Sequence, residues 1–106
     1  MAIINTALTT IPSNIYVSSG NTVVSAMYFC NTNSGAINFN LYAVPSGVTT
    51  ANANVQIYNS VQVASLDTFV VDWEKLALGN GDRLVANITF GQSNLAITAT
   101  VSYVGI

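Results

Sequence analysis

Apolar and polar residues alternate with a period of two along most of this chain. Ile37, Phe39, Leu41 and Ala43 alternate with Asn38, Asn40 and Tyr42, the pattern of a strand buried on one side. Val55 and Ile57, then Val61 and Val63, alternate with Gln56, Tyr58, Ser60 and Gln62. Leu84, Ala86, Ile88 and Phe90 alternate with Arg83, Asn87 and Thr89, and Leu95, Ile97, Ala99, Val101 and Tyr103 with Thr98, Thr100 and Ser102. Thr22 to Cys30 is apolar on both faces, which predicts a central strand or one whose second side lies in an interface. Asn14 to Val17 and Thr68 to Trp73 complete the strands. Turn residues separate them: Ser19-Gly20-Asn21, Asn33-Ser34-Gly35, Pro45-Ser46-Gly47, Gly79-Asn80-Gly81-Asp82 and Gly91-Gln92-Ser93-Asn94. No long segment carries a helical period, and Glu74 to Leu78 is long enough for one helical turn at most.

The expectation is an all-β fold, a β-sandwich of seven or eight antiparallel strands forming one domain over residues 1–106. An immunoglobulin domain proper carries a Trp between two bridged cysteines, whereas this chain has Cys30, Trp73 and no second cysteine. Immunoglobulin-like and jelly-roll sandwiches therefore both fit the pattern.

Composition narrows the function. Lys and Arg total 2, Asp and Glu 4, so 6% of the chain is charged against about 25% in ordinary soluble domains. A net charge of −2 with so few cations speaks against nucleic acid, which is bound by neutralising phosphates, and against an anionic membrane surface. No apolar run approaches the roughly 20 residues of a spanning helix. With no histidine and a single cysteine, neither the usual transition-metal sites nor a His-based triad can be built, and no cofactor is expected. Met1 to Thr6 has neither a basic start nor a sustained apolar run, so synthesis and folding in a cytoplasm are expected, with the unpaired Cys30 suited to a reducing compartment. Every charged residue falls between Asp67 and Arg83, leaving the first 66 residues without one. A free monomer keeps itself soluble with charge spread over its surface; here Asn, Thr and Ser supply part of the polar surface and partners are expected to cover the rest, with a homo-oligomer among the expectations.

Few residues offer chemistry. Asp72 and Glu74 on one strand would share a face about 7 Å apart, a spacing compatible with an inverting glycosidase pair; the simpler reading is a pair of solubilising charges beside Lys75. Asp82, with Asp67, could ligate Ca²⁺, but calcium wants six to eight oxygens. The preferred reading puts Gly81 in the left-handed region and lets the Asp82 carboxylate accept backbone N–H bonds in its own turn. Tyr42, Tyr58 and Trp73 are the candidates for contact with a partner or a glycan, the two tyrosines falling on the polar side of their strands. Asn87-Ile88-Thr89 matches an N-glycosylation acceptor, inert in a cytoplasmic chain, and Cys30 reads as a small buried hydrophobe. No nucleophile sits with a base, so the chain is expected not to be an enzyme.

The order of several motifs resembles small virion proteins of tailed bacteriophages, particularly marine and cyanobacterial ones. The motifs are Asn14-Ile15-Tyr16-Val17-Ser18-Ser19-Gly20, then Thr22-Val23-Val24-Ser25-Ala26-Met27-Tyr28-Phe29-Cys30-Asn31-Thr32, then Phe39-Asn40-Leu41-Tyr42-Ala43-Val44-Pro45. Leu78-Gly79-Asn80-Gly81-Asp82 looks like that group's Leu-x-x-Gly-Asp turn, and Val101-Ser102-Tyr103-Val104-Gly105 like its terminal strand. Leu66-Asp67 departs from the Gly-Asp often found before the strand at Thr68, so that turn is expected to differ. The resemblance implies a structural protein of the virion, made in the host cytoplasm, decorating the head or belonging to the tail, with no catalytic residues. Its implied partners are the major capsid protein or other virion proteins, with a trimer as the first expected oligomer.

Overall fold

A computed structural model describes residues 2–48, 55–71, 76–90 and 97–105. Among them are nine β-strands and no α-helix: β1 (Ala2–Ala7), β2 (Ser13–Val17), β3 (Thr22–Asn31), β4 (Ile37–Val44), β5 (Gln56–Val63), β6 (Thr68–Val71), β7 (Leu76–Leu78), β8 (Arg83–Phe90) and β9 (Ile97–Gly105). No helix among the described residues is long and apolar enough to cross a membrane.

The strands form two antiparallel sheets. The first runs β1-β9-β3-β6, with β7 also paired to β3; the second runs β2-β8-β4-β5. The edge of β3 is shared, β7 covering Thr22 to Val24 and β6 covering Met27 to Cys30. The pairings are nested: β1 with β9, β2 with β8, β3 with β6 and β7, and β4 with β5. A long hairpin rolled into two sheets has this order, which is a jelly roll. In an immunoglobulin sandwich the first two strands share a sheet, and here β1 and β2 do not.

Alternation produces the core. Val24, Met27, Phe29, Ile97, Ala99 and Val101 of the first sheet face Ile37, Phe39, Leu41, Leu84, Ala86 and Ile88 of the second, all buried in one cluster. Phe29 stacks on Phe39 across the gap at 4.2 Å between ring centroids, and Phe69 meets Phe39 edge-on at 6.0 Å. A smaller cluster of Tyr42, Val44 and Val85, with Val55 against it, lies on the opposite side of the second sheet.

Nine strands replace the expected seven or eight. β1 shows no alternation, because Ala2 to Asn5 are all exposed. Leu76 to Leu78, from the segment long enough for one helical turn at most, pairs with Thr22 to Val24 as β7. In the turn at Leu66, Asp67 N–H bonds to Ala64 C=O at 3.1 Å, and exposed Leu66 sits at φ 58°, a conformation that favours glycine.

Candidate functional site

One end of the sandwich gathers the loops β2–β3, β4–β5 and β7–β8 around Asp82. Its two carboxylate oxygens accept backbone N–H bonds from Ser46 and Gly79, each at 2.8 Å. Ser18 N–H donates to Asp82 C=O, Gly81 N–H to Ser18 C=O, and Gly20 N–H to the Asn80 side chain. Gly81 is at φ 86°, and a Cβ there would lie 2.8 Å from Ser46 Oγ, so both conformation and space demand glycine. Asp82 thus fills the role of turn acceptor expected of it. Asp67 spends its Oδ1 on the N–H of Thr68. Among the described residues no three His, Cys, Asp or Glu side chains come together.

The Ser46 N–H, followed by that of Gly79, holds the Asp82 carboxyl below its ordinary pKa. A carboxylate lowered on folding contributes stability above its unfolded pKa, and that contribution fades as pH falls through the folded value. Thermal melts should therefore show wild type ahead of Asp82→Asn at neutral pH, with the gap closing once the pH drops below about 3.9. A gap independent of pH would remove the carboxylate from this account.

The two tyrosines among the aromatic candidates are not fully open to solvent. Tyr42 is 7% exposed, buried with Val44 and Val85, and its hydroxyl accepts from Asn40 Nδ2 at 3.0 Å. Tyr58 is half-buried against the main core, edge-on to Phe69 at 5.8 Å. It turns inward because β5 bulges: Phe39 pairs with Val61 but Leu41 with Tyr58, leaving Asn59 and Ser60 opposite Asn40. Ser60 takes φ 54° and its N–H bonds to Asn40 Oδ1 at 2.7 Å. The slip exchanges faces, so Ile57 becomes exposed. Trp73, with Asp72, Glu74 and Lys75, lies outside the described residues. Asn87 of the glycosylation triplet is buried in β8, its Nδ2 donating to Thr10 C=O at 3.3 Å. Cys30 is half-buried, on the outer side of β3.

A different surface stands out. Residues of the first sheet that alternate with the core face outward: Ile3 beside Ser102 and Ala26, Asn5 beside Thr100, Tyr28 and Val70, Ala7 beside Thr98, Cys30 and Thr68. Val104, Val23 and Ala77 continue this face. Among the described residues it carries no charged side chain, and Ile3, Tyr28 and Val70 are exposed on it. The absence of charge before Asp67 hinted at such a surface; its edge at β1 was not legible, since that strand has no period. Compared with known proteins, the chain matches no family model, no curated protein and no solved structure.

Proposed function

We propose that this protein is a non-enzymatic structural component of a tailed-phage virion, a decoration protein that binds the head shell in many copies. One observation supports this reading above the others: among the described residues, the outward face of the five-stranded sheet is uncharged from Ile3 at one edge to Val70 at the other. Covering such a face desolvates no ion, while its Ile, Val and Tyr side chains contribute about 25 cal/mol for each Å² of apolar area removed from water. Interface cores are depleted in charge in the same way. The proposed partner is the major capsid protein or another virion protein, with copies of the chain also associating among themselves. Neither nucleic acid nor membrane is assigned as a partner.

Viral capsid domains and lectins share the jelly-roll architecture, a likeness of fold that is compatible with the reading without deciding function. Tyr42 is buried in the smaller cluster and Tyr58 packs part of its ring on the main core, which favours structure over glycan contact for these two rings, because a covered ring face cannot stack on a sugar. Mass spectrometry of purified particles from the genome that encodes this chain is expected to find it in numbers comparable to the major capsid protein. Its absence from the particles would overturn the proposal.

A further inference from the structure

We propose that the open edge of β1 is a self-association site, where β1 of a second copy adds antiparallel across a two-fold axis. The inference rests on the self-association in the preceding reading and needs no virus particle. Leu8 N–H donates to Ile97 C=O at 2.8 Å, in the register that pairs Ala7 with Thr98 and, without a break, Ala2 with Tyr103. Hydrogen-bonded pairs alternate along an antiparallel ladder. Ala2, Ile4 and Thr6 therefore direct their backbone groups at β9, while Ile3, Asn5 and Ala7 direct N–H and C=O outward. Among the described residues no strand pairs with that side of β1.

Nothing blunts this edge. Its six residues hold no charge and no proline, the register has no bulge, and Ile3 is 67% exposed. Soluble proteins protect their edges with such devices, and the other edges here have them. β2 is bulged between Asn14 and Tyr16, β5 is bulged on both sides of Leu41, and β6 is only four residues long.

A second copy is the occupant that fits. The outward groups sit on alternate residues, so they match a strand presenting the same alternation, which β1 itself does. With Asn5 opposite Asn5 of the second copy, Ile3 faces Ala7 and Ala7 faces Ile3, so a large side chain meets a small one on each side of the axis. Ile4 faces Thr6 on the inner side. No charge lies in the seam, so two chains of net charge −2 meet without like-charge contact. The two uncharged outer faces become one. The unit is a dimer, in place of the trimer expected from resemblance. A strand pair of about 20 Å forms a small interface, so association is expected at concentrations on the order of tens of micromolar.

Cross-linking reads the register directly. In a Cys30→Ser background, Asn5→Cys is expected to oxidise to a disulfide-linked dimer, since paired Cα atoms about 5.5 Å apart are within disulfide reach. Ile3→Cys should stay monomeric on the same gel, its mate being about 14 Å away. Asn5→Pro removes an outward N–H and spares the ladder to β9; it should be monomeric by sedimentation with the far-UV spectrum of wild type. High salt should not dissociate the wild-type dimer. Equal cross-linking of Ile3→Cys and Asn5→Cys, or a wild-type monomer by light scattering at on the order of 100 μM, would overturn the inference. A chain that is monomeric alone but present in particles sinks this inference only; one that dimerises but is missing from particles sinks only the virion role.

Discussion

Phe39→Ala is expected to lower the free energy of unfolding by about 3–5 kcal/mol, the usual cost of deleting a fully buried phenylalanine. Phe39 comes from β4 and has no exposed surface; its ring stacks on Phe29 of β3 at 4.2 Å and takes the edge of Phe69 from β6. It is the point where the two sheets hold each other, so the void cannot close without moving both. A domain of this size has roughly 5–15 kcal/mol of stability, and each kcal/mol is worth about 4–8 °C of melting temperature. Phe39→Leu keeps most of the volume and should lose far less, while Ile57→Ala, on an exposed position, should stay within about 0.5 kcal/mol of wild type. Denaturant titration of the three variants checks the ranking. A loss below about 1.5 kcal/mol for Phe39→Ala would mean the sheets are held elsewhere.

Asn31→Asp is the second large effect, at about 3 kcal/mol or more near neutral pH. The Asn31 side chain is fully buried at the end of β3, where Nδ2 donates to the carbonyls of Gly35 and Val63 at 3.0 Å and of Ala64 at 3.3 Å. Its Oδ1 accepts from Asn33 N–H at 2.9 Å, and its own N–H donates to Asp67 C=O. One amide thus ties the β3–β4 loop to the β5–β6 turn. A carboxylate there would point an acceptor at three carbonyls. Its pKa would rise on folding, so the penalty is present at neutral pH and shrinks as acid protonates the group and restores a donor. Melts of Asn31→Asp from pH 7 downward should converge on wild type; parallel curves would contradict this role.

The residues differ in how much of this could be read from the chain. The role of the Asp82 carboxylate was legible because its turn is local: of its two N–H donors Gly79 is a sequence neighbour, and only Ser46 comes from afar. The core positions on β3, β4, β8 and β9 were legible because period two places them on one side. Tyr58 was misplaced by a single inserted residue at Ser60, since a bulge exchanges the facing of positions on one side of it relative to the other and leaves no mark in the alternation. Asn31 appeared only as the end of a motif. Its partners at Val63 and Ala64 lie more than 30 residues away, and no local pattern announces such a bond. β1 escaped for the opposite reason: with both faces open it has nothing to alternate between.

An uncharged sheet is a costly surface for a free monomer and a cheap one to cover. That contrast is the core of the functional reading, and a density map of the virion tests it most directly. The account predicts a sandwich seated on the head with the Ile3, Thr100 and Tyr28 face turned into a neighbouring protein. A particle in which that face is open to solvent, while the loops around Asp82 and Arg83 make the contact, would contradict it.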